Sequence, residues 1–268
     1  MPMIITSLTN PKIKQIVKLR DRKTREESGL TVVEGAREIL RAFEAGVRFQ
    51  EVYLCRDILD SASDRALARF CKAHEAVLNE TSKEVFAKIG YGDRQDGVLG
   101  VCFLQPKGLK DIRWTACPLI VVAEHVEKPG NLGAILRTCD AAGVDALIVA
   151  NPQTDIFNPN VIRSSLGTVF TVPVFVAGNG EAAEALRQKG VRVCAATPSA
   201  ETVYSGCDFK APTAIVVGSE EKGLSPFWME RADLKVKIPM KGRADSLNVS
   251  ASTAVLVYEA LRQRHGPG

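Results

Sequence analysis

The sequence predicts an α/β protein in two domains: a small α/β domain at 1–105, a linker at 106–117, and a larger α/β domain at 118–268 built on a mostly parallel sheet. Three observations carry this reading. Residues 119–126 form an apolar run of the kind found in a strand buried on both faces of a parallel sheet. From there to the C-terminal region, strand-like and helix-like patterns alternate, which is the signature of βα units. Between the halves, Gln105-Pro106-Lys107-Gly108-Leu109-Lys110 carries no periodicity and reads as a connector.

In the first domain, residues 10–25 place Ile13, Ile16 and Val17 at helical spacing, so these face inward. Lys12, Lys14, Lys18, Arg22, Lys23 and Arg25 crowd the exterior of that helix and the loop after it. With Arg20, the window holds seven basic residues against one acid, Asp21, which makes a positive patch. It is either a solvated helix face or a contact for nucleic-acid phosphates. Strands are expected at 30–33, 51–55, 76–79 and 98–103, separated by helices at 36–45, 63–74 and 82–89. The turn Glu34-Gly35-Ala36-Arg37 sets another cation beside the basic helix.

In the second domain the order after the first strand is helix 130–142, strand 146–150, helix 161–169, strand 172–176, helix 182–189, strand 191–196 and strand 214–217. A short helix at 226–231, a strand through Val236-Lys-Ile-Pro-Met240 and a polar loop Lys241-Gly-Arg-Ala-Asp245 follow. The chain then enters a long apolar helix through Ser246-Leu-Asn-Val-Ser250. Apolar residues surround that helix on all sides, which predicts burial in a core or a subunit interface. Ser246 is the expected N-cap, and Asn248, two residues further on, requires hydrogen-bond partners. Sheets of this class bind ligands at the carboxyl ends of their strands.

Composition narrows the function classes. The chain has 35 Lys plus Arg and 31 Asp plus Glu, a formal net charge of +4, too small to imply a polyanion partner by itself. Seven cysteines without a CxxC pair indicate reduced core thiols, and the three histidines form no zinc or triad arrangement, so no metal is expected. The N-terminal residues lack a signal-peptide pattern, and no apolar run reaches the roughly 18–20 residues of a membrane span. A cytoplasmic protein without membrane association is expected.

After the first strand of the second domain stands Glu127-Lys-Pro-Gly130-Asn131-Leu-Gly133-Ala134-Ile-Leu-Arg137. Gly130-x-x-Gly133 lacks the third glycine of a dinucleotide fingerprint, which argues against a nucleotide-dependent oxidoreductase. Gly130, Gly133, Ala134 and Arg137 share one helix face. Small residues there either make room for a substrate to approach the guanidinium, or let the helix pack closely on the sheet while Arg137 snorkels to solvent.

Taken together, these motifs resemble the SpoU (TrmH-type) RNA ribose 2′-O-methyltransferases of the SPOUT superfamily. Asn131 with Arg137 is similar to that family's first motif, and Ile215-Val-Val-Gly218-Ser-Glu220 to its second. Ile238-Pro-Met240 with Ser246-Leu-Asn-Val-Ser250 is similar to its third. Arg163-Ser-Ser-Leu-Gly167 leading to Val172-Pro-Val174 resembles its middle segment. The second motif departs from the pattern, with Glu221-Lys222 where a glycine usually follows the glutamate. The N-terminal region resembles the family's ribosomal-protein-like RNA-binding extension.

The resemblance implies a SPOUT domain with a C-terminal trefoil knot that works as a homodimer through its last helix. It implies that backbone at Thr197, Gly218, Ile238 and Leu247 cradles S-adenosyl-L-methionine. It makes Arg137 the central catalytic residue, with Asn131, Glu220, Ser246 and Asn248 around it. RNA contacts are expected at Arg20, Arg22, Lys23, Arg25, Arg37 and Arg163, and ribosomal RNA is favoured over transfer RNA as substrate. The alternatives are a tRNA ribose methyltransferase and a non-catalytic RNA-binding or ribosome-assembly protein.

Overall fold

The computed structural model describes residues 4–91 and 96–266. The chain divides into two compact units, 1–105 with 155–171, and 106–154 with 172–268.

The first unit holds β1 (Ile4–Ile5), α1 (Pro11–Lys18), α2 (Arg22–Ser28), β2 (Leu30–Glu34), α3 (Ala36–Glu44), β3 (Phe49–Leu54), α4 (Ser61–Ala73), β4 (Val77–Thr81), α5 (Lys83–Ile89) and β5 (Val98–Phe103). Its five-stranded sheet has the order β1-β4-β3-β5-β2, with β5 antiparallel to both its neighbours. The basic window is two helices instead of one helix and a loop. Asn10 caps the first by accepting from Lys12 N, and Asp21 caps the second by accepting from Thr24 N. Gly29, in the left-handed region at φ 66°, ends the second. Ile13, Ile16 and Leu19 pack with Val32, Phe86 and Ile89 under the sheet. Val17, expected inside, is only half-buried.

The second unit holds β6 (Leu119–Glu124), α6 (Pro129–Ala142) and β7 (Ala146–Ala150). The chain then leaves it through α7 (Pro159–Ser164) and returns as β8 (Val174–Ala177), α8 (Asn179–Gln188), β9 (Arg192–Ala196), β10 (Thr202–Val203), β11 (Thr213–Val217), α9 (Pro226–Arg231), β12 (Leu234–Lys237) and α10 (Val249–His265). The seven-stranded sheet, in the order β10-β12-β9-β11-β6-β7-β8, is parallel throughout. From β6 the chain winds outward through β7 to β8, then returns to build β9, β11 and β12 on the other side. The strand order therefore switches between β6 and β11, and sheets of this class take ligands near such a switch at the carboxyl ends of their strands.

Several expectations need correction. Residues 155–171 were assigned to the second domain, but they pack within the first unit. Arg25, expected on the surface as an RNA contact, is only 1% exposed; its Nη2 meets Asp155 Oδ2 at 2.8 Å and its Nη1 donates to Leu19 O and Arg20 O. Thr31 Oγ1 donates to Phe157 O, and Arg41 Nη1 to Leu166 O, so the inserted segment is held along its length. The helix expected over 161–169 stops at Ser164, because Leu166 (φ 56°) and Gly167 (φ 80°) turn left-handed.

The last helix also differs from expectation. Its N-cap is Asn248, whose side chain accepts from Ser250 N, while Ser246 lies in exposed chain before it. It is not buried all round: Val249, Thr253, Leu256, Val257 and Ala260 face inward against α6 and β11, whereas Tyr258 is 50% exposed. Of the cysteines Cys117 is exposed and the others buried, and burial pushes the Cys139 and Cys194 thiols up to about 12.

Candidate functional site

β9, β11 and β12 end side by side, and the loops that leave them enclose a cleft of about 470 Å³ in the second unit. That volume is within the range of small-molecule sites. Thr197 follows β9, Gly218 follows β11, Ile238 follows β12, and Leu247 precedes α10; all four line the cleft, as do Glu220 and Ser246. Val236, Leu224, Met229 and Met240 supply apolar wall.

The loop after β11 explains its glycines. Ser219 N donates to Gly223 O at 3.1 Å and Gly223 N to Ser219 O at 3.0 Å, closing a tight antiparallel turn. A Cβ on Gly218 would lie closer than 3.0 Å to the backbone of Gly223 and Leu224, so the turn folds back over a residue that must have no side chain. Gly223 takes the left-handed conformation, φ 65°. Glu221-Lys222, the departure from the family pattern, therefore sits where the backbone asks nothing special, and Lys222 N is bonded to Ser219 Oγ at 3.1 Å.

A chain of polar contacts crosses from this loop to the two helices beside it. Asn131 Nδ2, in the first turn of α6, donates to Glu220 Oε1, and Glu127 N donates to Glu220 Oε2 at 3.4 Å. Asn248 Nδ2 donates to Asn131 Oδ1 at 3.0 Å, and Asn248 Oδ1 accepts from Ser250 N and Ser250 Oγ. Partial burial of Glu220 opposes its ionisation, but the Asn131 amide and nearby backbone N–H groups outweigh it and hold the carboxyl below its ordinary range. Asn131, Glu220 and Asn248 are thus brought together. Arg137 lies on the exposed side of α6, outside the cleft lining, with no hydrogen bond or ion pair among the described residues.

One residue of this site was not anticipated. Glu124, at the end of β6, is fully buried, and its carboxylate accepts from Ser225 N at 2.8 Å, Ser225 Oγ at 2.5 Å and Asn179 Nδ2 at 2.5 Å. Ser225 closes the loop that begins at Gly218, so the turn from β6 to α6 holds that loop both at its middle, through Glu220, and at its end. The available signal was an acid inside an otherwise apolar strand, which requires buried partners.

The predicted RNA contacts lie in the first unit and differ in their pairing. Arg22 pairs with Glu26, Lys23 with Glu27 and Arg37 with Glu38. Arg20 and Arg163 donate instead to backbone carbonyls, Arg20 to those of Lys88 and Gly90, and Arg163 to that of Tyr91. Among the described residues, no group of three or more His, Cys, Asp or Glu is placed to hold a metal ion, and no helix is long and apolar enough to cross a membrane.

Comparison with known proteins agrees with this geometry. A family model described as the SpoU rRNA Methylase family matches residues 118–258, and one described as an MRM3-like substrate binding domain matches residues 10–100. The chain is 28% identical over 254 residues to a 23S rRNA (guanosine(2553)-2'-O)-methyltransferase, RlmP, of Bacillus subtilis, covering 95% of this chain and 97% of that one. It is similar to a crystal structure of an RNA 2'-O ribose methyltransferase, at 40% identity and a TM-score of 0.88, covering 98% and 100% of the two chains. It is also similar to an AdoMet-bound rRNA methyltransferase from Sinorhizobium meliloti, at 30% identity and a TM-score of 0.89, covering 99% of each.

Proposed function

Because the chain belongs to the SpoU rRNA methylase family, we propose that it transfers a methyl group from S-adenosyl-L-methionine to a ribose 2′-hydroxyl of ribosomal RNA. The observation that carries this is the cleft at the ends of β9, β11 and β12, joined through Glu220, Asn131 and Asn248 to the starts of α6 and α10. The residues present fit the methyl donor. The turn folded over Gly218 forms one wall, Thr197, Ile238 and Leu247 continue it, and the methionines and aliphatics cover apolar surface. S-adenosyl-L-methionine, when bound, supplies an activated methyl carbon.

The protein's own share of the chemistry is to align a weak nucleophile and relieve it of a proton. A guanidinium stays protonated in ordinary surroundings, so Arg137 acts first by gripping the phosphate beside the target ribose. Ser246, on the cleft wall, and Asn248, at the entrance to α10, orient the ribose and donor in this reading, which their position beside the cleft and the Asn131–Glu220 bond support. The first unit, with Arg20, Arg22, Lys23, Arg37 and Arg163, holds the RNA. Arg25 has no part in that, since Asp155 and two carbonyls already occupy it.

The homodimer is assigned to the outward face of α10, where Tyr258 leaves a large side chain 50% exposed. The threaded C-terminal chain of the family suits the path from β12, which lies between β9 and β10, through the loop to α10 packed on α6.

The test is transfer of labelled methyl from S-adenosyl-L-methionine to unmodified 23S rRNA and, separately, to transfer RNA, scored as alkali-resistant linkages. Label in ribosomal RNA, reduced roughly 100-fold or more by Arg137→Ala, is expected on the scale of lost transition-state contacts. Absence of donor binding would overturn the proposal, and label in transfer RNA alone would reassign the substrate.

A further inference from the structure

Tyr91 follows α5 in the first unit and is fixed from several directions. Its backbone N–H donates to the Glu34 carboxylate, and its carbonyl accepts from Arg163 Nη1 at 2.8 Å. Its hydroxyl accepts from Asn160 Nδ2 at 3.4 Å. The Arg20 guanidinium carbon lies 6.0 Å from the ring centre, and Arg20 Nη2 donates to the carbonyls of Gly90 at 2.7 Å and Lys88 at 2.9 Å. Two arginines far apart in sequence therefore bracket one short turn and the aromatic ring that it presents.

Core packing does not account for this. The ring is half-exposed and is not among the residues packed with Ile13, Ile16, Phe86 and Ile89. Holding a surface ring this firmly costs conformational freedom that packing does not return. The two arginines also differ from the other cations expected to meet RNA, although Arg41 is likewise anchored to a carbonyl, that of Leu166. Arg22, Lys23, Arg25 and Arg37 each meet a carboxylate, whereas Arg20 and Arg163 are anchored by one nitrogen each to uncharged carbonyls. A guanidinium has five N–H donors, so most of each fork remains for an anion, and among the described residues neither forms an ion pair, the nearby Glu34 carboxyl sharing the field of Arg163. An aromatic ring beside two anchored guanidinium groups that keep free N–H donors is the arrangement that takes a nucleotide, with its base stacked and its phosphates held.

We infer that Tyr91 is a stacking platform for an unpaired base of the RNA substrate, with Arg20 and Arg163 gripping the phosphates on either side. Arg20 already occupies one face of the ring, so the base stacks on the other. The inference rests on the RNA-methyltransferase reading above and adds to it a point of contact away from the methyl-transfer site.

The test measures binding of unmodified 23S rRNA, transcribed in vitro, to the full chain over a range of salt concentrations. The variants are Tyr91→Ala, Tyr91→Phe and Arg163→Ala, and the affinity of each for S-adenosyl-L-methionine is measured without RNA. Tyr91→Ala weakens RNA binding by roughly 5- to 150-fold, the worth of one stacked base, by a similar factor at every salt concentration. Tyr91→Phe keeps the ring and binds as wild type. Arg163→Ala weakens binding and flattens the plot of log affinity against log salt by about 0.7, the loss of one phosphate contact to a single strand. All three keep wild-type affinity for the methyl donor. Wild-type RNA affinity in Tyr91→Ala, loss of affinity in Tyr91→Phe, or a fall in donor affinity with Tyr91→Ala overturns the inference and leaves the methyltransferase reading standing. Wild-type protein that binds no ribosomal RNA overturns the ribosomal RNA reading itself.

Discussion

Gly218 offers the sharpest test of how the cleft is built. A methyl group there would sit within 3.0 Å of Gly223 C, Gly223 O and Leu224 N, all of them backbone atoms with no rotamer to move. Relief requires the turn to open, which stretches the paired bonds between Ser219 and Gly223, now 3.1 and 3.0 Å. Overpacking of this kind costs about 1–3 kcal/mol, and each weakened bond adds about 1 kcal/mol. A total of about 3–5 kcal/mol, falling on the conformation that lines the cleft, corresponds to a roughly 100-fold or greater loss of affinity for S-adenosyl-L-methionine. Gly223→Ala is the internal control. Its Cβ would meet nothing within 4 Å, so only the left-handed backbone at φ 65° opposes it. That costs about 1–2 kcal/mol and a correspondingly smaller loss of affinity. Calorimetric titration with the donor, beside far-ultraviolet melting of each variant, separates binding from folding. The reasoning fails if Gly218→Ala binds within about threefold of wild type, or if Gly223→Ala is the more damaging change.

Two further outcomes follow from the first unit. Asp155→Ala leaves the Arg25 guanidinium buried without its partner and is expected to destabilise the unit by about 3–5 kcal/mol; Arg25→Met combined with Asp155→Leu removes both charges and recovers most of that, read from urea midpoints, and equal loss in the single and double variants would show that the charge is not the cause. Burial, aided by Asp96 and opposed by the Tyr91 N–H and by Arg163, pushes the Glu34 carboxyl up to about 7. The folded form therefore keeps its proton where the unfolded chain has lost it, so stability is full below about pH 4.5 and is lost as pH rises to about 7, by on the order of 3 kcal/mol. Glu34→Gln flattens that fall, and parallel profiles for the two proteins would refute the assignment.

What could be read in the sequence depended on whether neighbours in the chain were neighbours in space. The strand that became β6 was legible because its apolar residues fill both faces, while the cleft residues Thr197, Gly218 and Ile238 came from the family resemblance and lie where strands end. Arg25 was misread because its partner lies 130 residues away, and nothing in a run of basic residues distinguishes the one that turns inward. The same distance hid the attachment of residues 155–171 to the first unit. Ser246 and Asn248 are both good capping residues; the choice fell to Asn248 because its amide also reaches Asn131, a contact no local rule contains.

That contact also fixes the direction of the whole polar chain. An ionised Glu220 can only accept, so Asn131 must present Nδ2 to it and turn Oδ1 away. Asn131 Oδ1 then requires a donor, which orients the Asn248 amide with Nδ2 toward it. Asn248 Oδ1 is left facing Ser250, where it accepts from the backbone N–H at 3.0 Å and caps α10. A single charge in the loop after β11 thus sets two amides and the entry of the last helix. The lowered pKa of Glu220 keeps that charge in place, because a protonated Glu220 could donate, and the amide order would no longer be unique. Ser246 and Leu247, on the cleft wall just before that cap, take their positions from the same chain of constraints.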